Sequence, residues 1–170
     1  MPEEFVNACC LIFSFVAAIM DLSIHKVKNI WIYSWMIAGF FFRFVFQADI
    51  WSGCLGLLFP ILFLGIFFFF GMMGAGDVKL FSVLGIWMGL EALLSCMFVS
   101  FLIAAFFAAF SFLRYKNAAE RFWYLQNYLK GLFLWKEKKD YGAAEAKRAR
   151  IPLALPAFMA VIFQCLGGFF

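Results

Sequence analysis

The chain has 170 residues, of which 66% are apolar and 14% are charged, and its mean hydropathy is +0.95. A soluble domain is typically about half apolar and about a quarter charged, so this composition excludes an ordinary water-soluble fold and requires the lipid bilayer as part of the solvent. Ten of the fourteen Lys and Arg residues lie between Arg114 and Arg150. The net charge of +4 therefore belongs to a few loops, which argues against a general basic surface for nucleic acid.

Apolar runs of about 20 residues, the length that crosses a bilayer, predict an all-α protein with six transmembrane helices. The first run begins without a basic segment or a small-residue cleavage site, so we interpret it as a retained helix and not as a removable signal peptide. The fourth run is the shortest and follows a glycine-rich break. The predicted spans cover residues 5–24, 30–46, 50–70, 78–90, 92–113 and 151–170.

The basic residues of the loops predict how these helices are oriented. Residues 25–29 and 114–150 are rich in Lys and Arg, which places both loops in the cytoplasm by the positive-inside rule. Four spans separate the two loops, an even number, so the assignments agree and both termini face outward. The sequence thus predicts one membrane-embedded domain over residues 1–170. Within this domain, loop 114–150 is either an interfacial amphipathic helix on anionic lipid or a simple folded loop.

Two acidic residues are distinguished by their predicted depth in the membrane. Asp21 ends the first span and Asp77 precedes the fourth, so the topology places both at the cytoplasmic end of neighbouring helices. Two neighbouring carboxylates hold one proton between them, since two negative charges side by side repel each other. An aspartic protease activates water in this state. We therefore predict that Asp21 and Asp77 form a catalytic pair.

Two glycines lie directly before the second acid. Gly74 and Gly76 flank Ala75, and Asp77 follows. Glycine allows close backbone approach and a positive φ, so an extended substrate segment has room to lie beside the acid. The alternative interpretation is a helix break or a tight turn between two spans.

Three further polar residues have a structural interpretation beside any functional one. Lys79 either acts on the nearby carboxylate or lies at the level of the lipid headgroups as a snorkelling lysine. Asn29 is a candidate cap of the second helix. Arg43 is a cation inside a predicted span, for which we expect a pair with Asp49 or Glu91, or snorkelling outward, and no catalytic role.

Three segments resemble those of a known family. G-A-G-D-V-K-L at residues 74–80 resembles the G-x-G-D-x-K-L signature of the type IV prepilin peptidases, which belong with the preflagellin peptidases and presenilins among the G-x-G-D membrane proteases. Residues 21–29 resemble that family's first-aspartate motif, in which Asn or Asp follows the acid eight residues later, usually after Ile-Pro. Residues 151–157 resemble its final-helix pattern. The resemblance implies that Asp21 and Asp77 are catalytic, with Asn29 and Lys79 as supporting residues.

The resemblance also implies a substrate and a location. The expected substrates are leader-bearing prepilins or pseudopilins of type IV pilus or secretion systems, cut at the cytoplasmic face of the inner membrane. We expect no metal and no other cofactor. The long members of the family carry paired C-x-x-C zinc ligands linked to methylation, whereas the five cysteines here form no such pair, so we expect the short form without methyltransferase activity. Lys28 stands where the family usually has Pro, which leaves the conformation of the turn after Asp21 open.

Two other functions fit the same acid pair. An intramembrane protease of the preflagellin-peptidase or presenilin type would cut inside a spanning helix. A non-enzymatic transporter would use Asp21 and Asp77 to relay protons or to bind a cation. Ion-dependent flux without proteolysis distinguishes the transporter from both proteases.

Overall fold

The computed structural model describes residues 3–24, 27–46, 49–69, 73–114 and 153–167. All regular secondary structure in these ranges is α-helical, which confirms the all-α part of the predicted fold class. The predicted basic loop covers residues 114–150. All of it except Arg114 lies outside the described residues. The six described helices are α1 (Glu3–Ile24), α2 (Asn29–Val45), α3 (Ile50–Phe69), α4 (Ala75–Met88), α5 (Leu90–Arg114) and α6 (Ala154–Gly167).

Three of these helices are long and apolar enough to cross a membrane, over Glu4–Ser23, Ile50–Phe69 and Leu90–Phe110. Helix α2 has 17 residues, and α4 and α6 have 14 each. At 1.5 Å per residue, a helix of the length of α4 spans about 21 Å, which is less than the ~30 Å hydrocarbon core of a bilayer. Six crossings and outward-facing termini therefore stay predictions.

The chain divides into two compact units, Met1–Ile103 with Pro152–Phe170, and Ala104–Ile151. The larger unit contains α1 to α4, the first part of α5, and α6. In the smaller unit, the structure describes only the end of α5. A single domain over residues 1–170 stays a prediction.

Helix α4 forms the centre of the larger unit. It packs against α1, α2 and α3, and all its residues from Leu80 to Trp87 are buried. A helix without a polar face has to be covered by other helices or by lipid, and here the neighbouring helices cover it. Those neighbours keep large apolar side chains on their outer surfaces, such as Phe41 and Trp51, where a bilayer can solvate them.

Two glycines set the distance between α3 and α4. A Cβ atom added to Gly56 would overlap the carbonyl of Gly85, and one added to Gly85 would overlap the carbonyl of Gly56. Small residues at such a crossing let helix backbones approach closely, which is how membrane helices gain packing without a hydrophobic driving force between them. The main chain of α4 is therefore held directly against that of α3.

Arg43 closes the end of α4 that lies away from Asp77. Its side chain is buried, and its guanidinium donates hydrogen bonds to the main-chain carbonyls of Ile86, of Asp49 (2.6 Å) and of Trp87 (3.2 Å). Gly89 follows with a φ of 86° and ends the helix. The sequence predicted a carboxylate partner or an outward orientation for Arg43. The structure shows Arg43 inside the protein, where it bonds Asp49 through the main-chain carbonyl and also bonds the last carbonyls of α4. The carbonyl end of a helix favours a cation.

Candidate functional site

The sequence predicted that Asp77 lies before the fourth helix. In the structure α4 begins at Ala75, so Asp77 lies in its first turn. The Asp77 N–H donates to the Gly74 carbonyl at 3.1 Å, and the Gly74 N–H donates to Asp77 Oδ2 at 3.3 Å. An acid at the third helical position commonly bonds back to the residue that precedes the helix. The N-terminal end of a helix also favours negative charge. The fold therefore orients the Asp77 carboxylate through the main chain of Gly74.

The two glycines before Asp77 have different surroundings. Gly74 is extended, with φ of −79° and ψ of 144°, and a Cβ atom there would lie 3.1 Å from Asp77 Oδ2. A Cβ atom on Gly76, inside the first turn, would meet no heavy atom of a non-neighbouring described residue within 4 Å. Neither Gly74 nor Gly76 has the positive φ that glycine permits. Among the described glycines, Gly89 alone has it. Gly74 instead leaves room for the Asp77 carboxylate, and Gly76 leaves an open surface beside it.

Asp21 lies in the last turn of α1, and its side chain is half-buried. Helix α1 packs against both α4 and α6. Since α1 ends at Ile24 and α2 begins at Asn29, a short connection keeps the end of α1 close to the start of α2. The pairing of Asp21 with Asp77 itself stays a prediction.

Asn29 and Lys79 meet across two helices. The Lys79 ammonium donates to Asn29 Oδ1 at 3.0 Å and lies 5.5 Å from the centre of the Tyr33 ring. This contact joins the start of α2 to the first turn of α4. Sequence reasoning missed Tyr33, although its spacing of four residues from Asn29 places both on one face of α2.

Lys28, directly before α2, is the position where the resembling family usually has proline. Lys28, and not Asn29, caps α2, and its side chain makes no capping hydrogen bond. Its backbone has φ of −65° and ψ of 130°, and a φ near −65° is the value that a proline ring imposes. Lys28 thus has the φ that the usual proline of the resembling family would fix, so the backbone at this position accepts either residue.

Two sets of contacts between α2 and α4 lie at opposite ends of the larger unit. Asn29 and Lys79 join the starts of α2 and α4, whereas Arg43 joins the ends of the same two helices. The predicted site residues therefore lie at the end where α1 stops and α2 and α4 begin. Among the described residues, no group of three or more histidine, cysteine or acidic side chains is placed to hold a metal ion.

The comparison with known families adds to this geometry. A sequence profile of the type IV leader peptidase family matches residues 8–109, more than half of the chain. The chain belongs to the type IV leader peptidase family. As a leader peptidase with long apolar helices, it is a membrane protein and a protease. The match includes all the predicted site residues: Asp21, Asn29, Gly74, Gly76, Asp77 and Lys79. No curated protein and no solved structure matches the chain.

Proposed function

We propose that this leader peptidase is an aspartic endopeptidase that removes the N-terminal leader of type IV prepilin-like proteins at the cytoplasmic face of the inner membrane. The observation that supports this best is the setting of Asp77, which is oriented by the main chain of Gly74 in the first turn of α4. That turn is joined to the start of α2. Asp21, eight residues before Asn29, supplies the second acid.

The proposed chemistry needs only the two carboxyl groups and a water molecule. The ionised carboxylate takes a proton from water held between the acids, and the protonated carboxyl donates to the oxygen of the scissile peptide carbonyl. Water attacks the carbonyl carbon, and the tetrahedral intermediate collapses as a proton passes to the departing amine. The hydrogen bond from the Gly74 N–H orients the carboxylate of Asp77 within this pair.

The position of Asp77 also favours cleavage of a leader segment over cleavage inside a spanning helix. An acid in the first turn of a helix lies near the helix end, where a leader segment can arrive from water, and not midway along a spanning helix. The family match favours a peptidase over a transporter that uses the same acids. By the positive-inside rule, the basic loops support a cytoplasmic location for this end.

The test is co-expression with candidate leader-bearing prepilins, with leader removal followed as a size shift and the new N-terminus sequenced. We expect Asp21→Asn and Asp77→Asn each to abolish cleavage, since each acid has its own role. Glu91→Gln is the matched control. It is an exposed acid in the first turn of α5, and it follows the end of α4 that Arg43 closes.

Three outcomes would contradict the proposal. Cleavage that persists in either aspartate variant removes the catalytic pair. A new N-terminus inside an apolar segment, away from the leader boundary, indicates an intramembrane protease. Ion flux that depends on Asp21 and Asp77, without any cleavage, indicates a transporter.

A further inference from the structure

Lys79 points away from the face of α4 that carries Asp77. Residues two apart on a helix are separated by roughly 200° around its axis, so they do not face each other. The Lys79 side chain instead crosses to α2, where it bonds Asn29 Oδ1 at 3.0 Å and lies over the Tyr33 ring. The contact therefore connects two segments that are 50 residues apart in sequence.

This connection occurs where the packing of α4 becomes incomplete. From Leu80 to Trp87 the helix is fully buried, and at its far end Arg43 holds the last carbonyls. At its start, by contrast, Ala75 is exposed, and Gly76 and Asp77 are half-buried. Apolar contacts alone therefore fix the middle of α4 better than its first turn.

The two segments joined by Lys79 are the ones that carry the two proposed acids. Asn29 opens α2 directly after the turn that follows Asp21, and Lys79 follows Asp77 by two residues. We propose that Lys79 is a positioning residue, whose bond to Asn29 holds the first turn of α4, and with it Asp77, at a fixed distance from Asp21. The inference rests on the proposed function, because its catalytic consequence requires the acid pair.

The expected effect is on the rate of the chemical step. A displacement of about 1 Å between reacting groups costs up to roughly 100-fold in rate. Lys79→Met and Asn29→Ala should therefore each lower kcat by roughly 10- to 100-fold, with KM little changed. The double variant should be no worse than Lys79→Met alone, since both changes remove the same bond.

A reciprocal exchange provides the sharpest test. In the variant Lys79→Asn with Asn29→Lys, an ammonium and an amide again face each other across the same two helices, and kcat should recover at least tenfold over Lys79→Met. Lys28→Met is the matched control, since it removes an exposed cation from the same end without touching this bond. A rise in KM that the exchange does not reverse would overturn the proposal and indicate that Lys79 binds substrate.

A second readout does not depend on activity. Hydrogen exchange of the full chain in nanodiscs reports local opening of the amides near the start of α4. We expect faster exchange over residues 74–80 in Lys79→Met and Asn29→Ala, and exchange like that of the unaltered chain in Lys28→Met. Unchanged exchange in both bond-breaking variants would refute the positioning role. If the unaltered chain cleaves no leader, the proposed function fails, and the exchange result still decides whether Lys79 holds this turn.

Discussion

Replacing Arg43 by methionine removes the guanidinium that bonds the last carbonyls of α4 and leaves an unbranched apolar side chain in its place. In the structure, the buried guanidinium donates to the main-chain carbonyls of Ile86, Asp49 and Trp87. Each buried acceptor left without its partner costs about 1–3 kcal/mol. Three such acceptors would cost about 3–9 kcal/mol at the full penalty, and we expect the lower part of that range, about 3–5 kcal/mol, because the bond to the Asp49 carbonyl is only partly buried.

The assay is thermal unfolding of the purified chain in detergent micelles, followed by circular dichroism. For a protein of this size, 1 kcal/mol corresponds to about 2–4 °C in Tm, so Arg43→Met should lower Tm by roughly 6–20 °C. Arg43→Lys should lower Tm by less, because it keeps the charge but not the planar fork that reaches several carbonyls. The exposed Lys28→Met should leave Tm unchanged.

Measuring kcat tests whether the two ends of the larger unit have separate roles. Because Arg43 lies at the opposite end of α4 from Asp77, the fraction of Arg43→Met that remains folded should cleave leader with the kcat of the unaltered chain. A Tm within about 2 °C of that of the unaltered chain would refute the structural role of Arg43. A loss of kcat in fully folded protein would refute the separation of the ends.

Three further substitutions test the start of α4 and the turn before α2. Lys28→Pro should raise the free energy of unfolding by about 0.4–1 kcal/mol, since the backbone already has a proline-like φ, and a fall in Tm would show that this turn needs the Lys28 N–H. Gly74→Ala should lower kcat by roughly tenfold, or about 1.4 kcal/mol, because its Cβ displaces the Asp77 carboxylate. Gly76→Ala should raise KM and not lower kcat if substrate lies on the open surface there, and steady-state kinetics with a cleaved prepilin separates these two outcomes.

Hydropathy predicted the positions of the helices because the thickness of a bilayer sets the length of an apolar run. All six predicted spans begin within three residues of the corresponding described helices α1 to α6. The difference in the start of α4 matters for function. The helix begins at Ala75 and not at Val78, so Asp77 lies in its first turn. Hydropathy could not detect this, since glycine, alanine and aspartate add little apolar signal to a helix.

The partners of the polar side chains could not be read from the sequence in the same way. Arg43 was expected to meet an acid, yet it bonds main-chain carbonyls, which every residue carries and no pattern marks. Asn29 was a candidate cap, but the helix begins one residue earlier than that role requires, and its amide oxygen accepts from Lys79. Such choices depend on which helix lies alongside, and helix packing is decided by distant residues such as Gly56 and Gly85.

By itself, the sequence determined that this chain is helical and requires a membrane, and it marked Asp21 and Asp77 as the acids to examine. It could do so because apolar length, loop charge and a short motif are local properties of the chain. Only the tertiary structure decided that α4 is the buried centre, that Gly74 orients Asp77, and that Lys79 ties α4 to Asn29. The bond between Gly74 and Asp77 is local, but it depends on where α4 begins. The other two features come from contacts between segments far apart in sequence, whose distances and directions exist only once the helices have packed.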